Sequence, residues 1–566
     1  MNTVTTDVLV LGSGGAALRA AYEARQCGSD VLLVTKGVIG HCGATASGVA
    51  ETGGFCAANS FTDPSDSAEV FYDDIIKAGR GMCNPVLSRI LAERSAETHL
   101  EMEKLGVRFD RNESGAYIQK KSCFSTKPRM HMIQRHGMQI VEVLEQRIRE
   151  AGVKIMEKTM AVEILVQDNR ACGALVLTEK GEFLAISAKA VILGTGGAGN
   201  LFKINLNTPE MTGDGYALGY RAGAELSNIE FLQMGEAFVY PFRNIFHPWA
   251  WPLHPVILNA HGEEFIGKYI PENVDIDQLY DIRGTYYPFS CDKASFPIDV
   301  AIKKELVKGN GNEHDAVYFD YSKAGAGADD QGTELVNMWP HMNNWLLSKG
   351  IDVHKQKLEI SLAFHAVNGG MRIDQNAQTT VDMLYAIGES ASGPHGADRL
   401  GGSMLLACQV FGKIAGQNAA ERTAKMERYE IAELTKQAVE RHSSINNSGK
   451  EQIDECADLL RKAMWENVMI CRDDASLRSN LDKIHSLSAN SLYCRVGNTN
   501  ELRKKIELDN MLLVGEIITQ ACLMRKESRG SHYREDFPKT NSEWNSQIVI
   551  RRSGDKPVLE LDKPMY

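Results

Sequence analysis

The chain has 566 residues, enough for two to four domains, and its 43% hydrophobic and 24% charged content is that of an ordinary globular protein. A formal charge of −11 argues against a nucleic-acid or anionic-membrane surface, and no apolar run reaches the roughly 18 residues that a bilayer crossing needs. Twelve cysteines lie scattered with no CxxC pair, which does not suit zinc, an iron–sulfur cluster or a disulfide framework; any iron–sulfur wiring must lie in another chain.

Met1-Asn2-Thr3-Val4 lacks the basic-then-apolar character of a signal peptide, so a cytoplasmic location is expected. Val8-Leu9-Val10-Leu11 reads as a strand ending in Gly12-Ser13-Gly14-Gly15-Ala16-Ala17, followed by a helix over 14–27 and a second strand, Val31-Leu32-Leu33-Val34. Such a unit cradles an adenine dinucleotide. Gly12 lets the chain turn sharply, Gly14 lets a pyrophosphate reach the backbone at the positive helix end, and Ala17 keeps helix and strand close. The acid expected on the ribose at the end of the second strand is replaced by Thr35-Lys36. That disfavours a nicotinamide cofactor and leaves FAD.

Helices are predicted over 62–80, 84–105 and 137–150, and strands over 153–156, 161–167 and 172–177 with a return over 182–188. A further strand, Ala190-Val191-Ile192-Leu193, runs into Gly194-Thr195-Gly196-Gly197-Ala198-Gly199, and Asp214 opens a helix over 214–223. From 226 to about 355 the alternation stops and aromatics and prolines crowd in, as in an inserted cap. Leu384-Tyr385-Ala386-Ile387-Gly388-Glu389 is a third strand–turn. Helices are expected over 420–441, 451–471, 476–487 and 501–524, then a polar tail with a β-like stretch, Gln547-Ile548-Val549-Ile550. The fold class expected is α/β: a Rossmann-like FAD-binding domain (1–225 plus 356–420), an inserted capping domain (226–355), a C-terminal helical domain (421–530) and a tail (531–566).

Three segments carry a more specific signal: Phe364-His365-Ala366-Val367-Asn368-Gly369-Gly370, His395-Gly396-Ala397-Asp398-Arg399-Leu400-Gly401, and the stretch from Arg525 to Pro538 that contains Arg529-Gly530-Ser531-His532-Tyr533-Arg534. Together they resemble the flavoprotein subunit of succinate dehydrogenase and fumarate reductase, a family that includes L-aspartate oxidase and, more distantly, adenylylsulfate reductase. The resemblance runs from Gly12 to Pro538. It implies FAD, a cap that closes over substrate, and hydride transfer between flavin and a carbon next to a carboxylate. It also implies a separate iron–sulfur or other electron-transfer subunit. Matched position by position, His365 is the substrate-binding histidine and Arg399 the arginine that grips a carboxylate. Gly12, Gly14, Gly15, Ala16, Thr35, Lys36, Gly43, Ala44, Thr45, Thr195, Gly196, Gly197, Asp214, Glu389, Ser403 and Leu405 fall to the cofactor. Planar, bidentate donors suit Arg399 to a carboxylate independently of the resemblance. The plainer alternatives are a structural histidine at 365 and an Arg399–Asp398 ion pair.

The resemblance also breaks. Members that bind FAD covalently use a histidine just after the second strand; in Gly40-His41-Cys42-Gly43-Ala44-Thr45-Ala46-Ser47-Gly48 that place falls on Gly43 or Ala44, so FAD is expected to be non-covalent. A second substrate histidine is replaced by Gly235, the cap's usual threonine–glutamate–arginine run has no counterpart in 246–255, and Cys291 stands where the proton-delivering arginine precedes an aspartate. Arg283 is the first candidate to replace it, ahead of Cys291, Lys293 and His254. Gly235 with Trp249 and Trp251 suggests a roomier or more aromatic pocket, unless the tryptophans are cap core. A simple four-carbon dicarboxylate is therefore in doubt. Rival readings are aspartate-oxidase-like amine oxidation, sulfur-group reduction through a flavin adduct, and a non-catalytic electron-transfer subunit.

Overall fold

The apolar run that ends at Leu11 is the centre of a seven-stranded sheet. In this computed structural model, which describes residues 3–46, 54–61, 63–323, 339–443, 449–554 and 556–562, Thr3–Leu11 pairs in parallel with Val31–Val34 and with Phe183–Leu193. Ser47, Gly48 and the 324–338 part of the expected cap lie outside the described residues. Strands covered on both faces read as unbroken apolar runs, and Val8, Leu9 and Val10 are fully buried. The sheet order is Lys154–Met156, Val31–Val34, Thr3–Leu11, Phe183–Leu193, Arg170–Leu177, Met160–Gln167, with Leu384–Ala386 also on Phe183–Leu193. The expected return over 182–188 and strand over 190–193 are thus one element. Its first half takes Gly173–Leu177 antiparallel, and Val191–Leu193 takes Leu384–Ala386 in parallel.

Three turns converge at the carboxyl ends of the parallel strands, the crevice where α/β sheets bind ligands. Gly12 N–H donates to Val34 O at 2.8 Å, Gly194 N–H to Leu11 O at 2.8 Å, and Ile387 N–H to Leu193 O at 3.0 Å. Gly12 sits at φ +111°, and a Cβ there would stand 2.2 Å from Gly194 O, so no other residue fits.

The helix Gly15–Gln26 lies against Ser403–Thr423, a helix that periodicity does not predict because it is buried almost all round and shows no two-sided pattern. The expected helix over 84–105 is two, Pro85–Glu93 and Ser95–Leu105. At the break the Ser95 hydroxyl donates to Ala92 O (2.7 Å) and accepts from Ala58 N–H (3.1 Å). The expected helix over 420–441 also divides. Ser403–Thr423 ends there, and Ala432–Ser443 lies on the Met160–Gln167/Arg170–Leu177 hairpin, its Ala438 in one buried cluster with that hairpin and Ile506. The helical bundle is therefore Ile453–Asn467, Asp474–Ser491 and Thr499–Met524.

The stretch expected as a cap contributes to an antiparallel sheet in the order Asn244–Ile245, Leu232–Tyr240, Leu358–Val367, Val317–Asp320, Val256–Leu258. Its central strand Leu358–Val367 lies past the expected boundary at 355, which therefore cuts through the sheet. The tail strand Gln547–Ser553 is not independent either: it pairs with Leu226–Ser227 and with Lys556–Asp562. No helix among the described residues is long and apolar enough to cross a membrane.

Candidate active site at the cap interface

One cavity of about 960 Å³ runs from the glycine turns to the cap. Gly12, Gly14, Gly15, Ala16, Thr35, Lys36, Gly43, Ala44 and Thr45 line it, with Thr195, Gly196, Asp214, Glu389 and Leu405. Gly14 has no side chain to cap the helix Gly15–Gln26, whose first turn carries no acid, and a Cβ at Gly14 would meet only Thr45 Oγ1 at 3.8 Å. Gly15 N–H donates to Thr45 Oγ1 at 3.2 Å, and the helix offers its positive end to an anion. Gly197 lies behind the lining. A Cβ there would come within 2.2 Å of Glu389 Oε1, so its smallness gives that carboxyl its place. Ser403 is also behind, buried in the first turn of its helix.

Lys36 and Asp214 line the cavity but hold each other. The Lys36 ammonium donates to Asp214 Oδ2, Thr212 Oγ1 and Glu507 Oε1, each at 2.7 Å. Burial disfavours its charge, yet Asp214 and Glu507 outweigh that and raise its pKa. The pair brackets the glycine turns against the long C-terminal helix.

At the cap end stand His365 and Arg399, both nearly fully buried. Arg399 Nε donates to Gln233 Oε1 (3.0 Å), Nη1 to Leu400 O (3.2 Å) and Nη2 to His365 Nε2 (3.2 Å). Three of the five guanidinium N–H groups are thus used, leaving one on each terminal nitrogen, the fork that grips a carboxylate. No described carboxylate pairs with Arg399; the field of Glu389 reaches it, and burial lowers its pKa. Asp398, the neighbour considered as its partner, instead accepts from Ser290 Oγ at 2.7 Å. Because arginine only donates, His365 Nε2 accepts and the ring carries its proton on Nδ1. Burial first, then Arg399, drives the His365 pKa down to about 3, so the ring is neutral. Its buried Nδ1 has no partner among the described residues.

The segment Arg525 to Pro538 supports this wall from behind. Ser531 Oγ donates to Ala397 O at 2.9 Å, Asn368 Nδ2 to the same oxygen at 3.2 Å, and Arg525 Nε to Glu230 at 2.8 Å, fixing the loop of Arg399 to the strand of Gln233.

Two candidate residues are elsewhere. Arg283 is fully buried outside the cavity lining, its Nε on Glu236 Oε1 at 2.8 Å, its Nη2 on the other Glu236 oxygen and on Asp299 Oδ1 at 3.2 Å, and its Nη1 on Tyr286 O at 2.7 Å. Its expected proton-delivery role is corrected: burial opposes its charge, but Asp299 and Glu236 raise its pKa, so it holds its proton among those acids, away from the cavity lining. Cys291 is corrected too. It lies outside the lining, its thiol directed at His532 O (3.6 Å), and burial raises its pKa well above the usual thiol range. Gly235 does not make the pocket roomier. Tyr287 fills the space, with its Cε2 2.5 Å from where a Cβ at 235 would be. Trp251 is core against Phe246, Tyr280 and Phe319, whereas Trp249 lines the cavity, stacked on His247 at 4.3 Å.

A family model described as "FAD binding domain" matches residues 7–405, and one described as "Fumarate reductase flavoprotein C-term" matches residues 457–564. The chain belongs to the succinate dehydrogenase/fumarate reductase flavoprotein family. This flavoprotein is 32% identical to a fumarate reductase (CoM/CoB) subunit of Methanothermobacter marburgensis, over 96% of this chain and 97% of that one. It is 28% identical to L-aspartate oxidase of Bacillus subtilis, over 97% and 94%. The solved structure of Mycobacterium smegmatis Sdh1 in complex with UQ1 superposes at TM-score 0.85 and 28% identity, covering 100% and 96%.

The flavoprotein binds FAD, and its cavity fits that group: a helix end with no side chain at its cap residue Gly14 for the pyrophosphate, and a buried acid, Glu389, at the third turn. Glu389 Oε1 accepts from Val367 N–H at 2.9 Å; burial raises its pKa to about 7 against the pull of that bond and of Arg399. Sequence reasoning missed the loop 119–126 and Tyr287, which also line the cavity. Nothing in the spacing of Lys120-Lys121-Ser122 marks a site. For Tyr287 the only signal was the glycine at 235, whose meaning depends on a contact 52 positions away in sequence.

Proposed function

We propose that this flavoprotein is the catalytic component of an FAD-dependent oxidoreductase acting on a carbon–carbon bond beside a carboxylate or similar acyl group. One observation carries the reading: a buried guanidinium at the cavity wall, with two N–H groups unused and no described carboxylate of its own. An isolated buried charge is costly, and an acid substrate supplies the missing counter-charge. FAD, when bound, supplies the two-electron chemistry. The protein's part is to bind and polarise. Arg399 takes the carboxylate in its fork and draws charge toward it, and His365 offers Nδ1–H to a second oxygen. The cap, 226–355 extended to Val367, closes over the ligand and excludes water. Electrons come from a separate iron–sulfur or other electron-transfer protein in the cytoplasm, a reading supported by the relative that is named as one component of a fumarate reductase. FAD is held without a covalent bond, since neither Gly43 nor Ala44 has a nucleophile; acid precipitation should release it all.

Reoxidation of the dithionite-reduced chain by a panel of 2-unsaturated acids tests the reading. At least one acid should turn over, and Arg399→Ala should lose that turnover while retaining FAD. Retained turnover would remove the assignment. Amine oxidation is the second reading, supported by the L-aspartate oxidase relative; hydrogen peroxide formed from an amino acid by the isolated chain would favour it.

A further inference from the structure

We infer that Tyr287 is the second anchor of the substrate, and that it selects an acid whose far end is an uncharged carbonyl oxygen rather than a second carboxylate. The inference rests on the reading of Arg399 above.

The Tyr287 phenol lines the cavity, yet its buried oxygen has no hydrogen-bond partner among the described residues. A buried hydroxyl left alone costs about 1–3 kcal/mol, and a ligand oxygen that meets it removes the cost. The ring stands edge-on to His365, with centroids 5.7 Å apart and planes at 88°, and His365 in turn touches Arg399. Arg399, His365 and Tyr287 therefore stand side by side along one wall of the cavity. Gly235 allows it. A Cβ there would stand 2.8 Å from Tyr287 Cζ and 3.1 Å from its oxygen, so the phenol occupies the space that a histidine at 235 would need.

The surroundings favour a neutral ligand group. The groups whose fields reach the phenol are Glu236, Arg283, Cys123 and Asp299. Arg283 is already bound to both acids, and burial raises the pKa of Asp299 and takes that of Glu236 up to about 8, so this interior accepts negative charge reluctantly. A second substrate carboxylate at Tyr287 would face that cluster with its cation taken. An ester, thioester or amide carbonyl accepts the phenol proton in a hydrogen bond without burying another charge.

The test is titration of the oxidised, FAD-loaded chain with fumarate, monomethyl fumarate and crotonate, read from the flavin absorbance. Monomethyl fumarate should bind at least about tenfold more tightly than fumarate. Tyr287→Phe, which removes only the hydroxyl, should weaken monomethyl fumarate about tenfold, the size of one hydrogen bond, and leave crotonate, which lacks the far carbonyl, unchanged. Fumarate binding as well as its half-ester, or equal weakening of all three ligands in Tyr287→Phe, would overturn the inference. If crotonate binding depends on Arg399 while Tyr287→Phe leaves the half-ester untouched, the Tyr287 assignment alone falls. If no acid binds, or binding survives Arg399→Gln, the reading of the site falls and this inference with it.

Discussion

Two buried arginines meet the same strand, Leu232–Tyr240, and do different work. Gln233 receives Arg399 and Glu236 receives Arg283. Arg283 has two carboxyls and a carbonyl, which take four of its five N–H groups. Arg399 has an amide oxygen, a carbonyl and an imidazole, all neutral, and faces a cavity. Burial alone does not separate a binding arginine from a structural one; the charge of its partners does. Desolvation is offset within the protein at Arg283 and awaits a ligand at Arg399.

The largest effect expected from this contrast is on stability. Arg283→Ala strands Glu236 and Asp299 and should cost about 3–5 kcal/mol in denaturant unfolding. Arg399→Ala strands no acid and should stay within about 1 kcal/mol of the parent. Equal losses would erase the distinction. Replacing the whole cluster (Arg283→Met, Glu236→Leu, Asp299→Leu) should recover most of the loss, because no charge is then left unpaired in the interior.

A pH effect comes next. Glu389 is raised to about 7 and lies in the field of Arg399. It is neutral below that pH and anionic above it, so it competes for the guanidinium only on the alkaline side. Crotonate affinity should therefore fall as pH rises through about 7, and Glu389→Gln should flatten that step. The same shift bears on folding. A carboxyl whose pKa is raised on folding contributes stability below its unfolded pKa that is lost as pH rises through the folded value. Glu389→Gln should thus gain relative stability between roughly pH 4.5 and 7. The smallest effect belongs to Cys291→Ala: turnover within about twofold of the parent, and stability changed by about 1 kcal/mol or less. A large loss of turnover would return the thiol to the site.

The parts of this account legible in the sequence are those where local geometry limits the residue. Gly12 and Gly194 mark turns that admit no Cβ, and the run from His395 to Gly401 carries Arg399 to the cavity. The bounds of the helix broken at Ser95 and of the strand Leu358–Val367 depend on partners far along the chain, so periodicity alone misplaced them. Arg283 shows the limit most clearly. Its residue type fits a proton donor, but Glu236 and Asp299, 47 and 16 positions away, assign it to the interior. Tyr287 went unnoticed for the same reason.

The most direct measurement is the affinity of the oxidised, FAD-loaded chain for crotonate, compared between the parent and Arg399→Gln. The account predicts full FAD occupancy in both and a loss of crotonate affinity of at least about 100-fold in the variant, the scale of a charge-assisted bidentate pair. Undiminished crotonate binding by Arg399→Gln would contradict it.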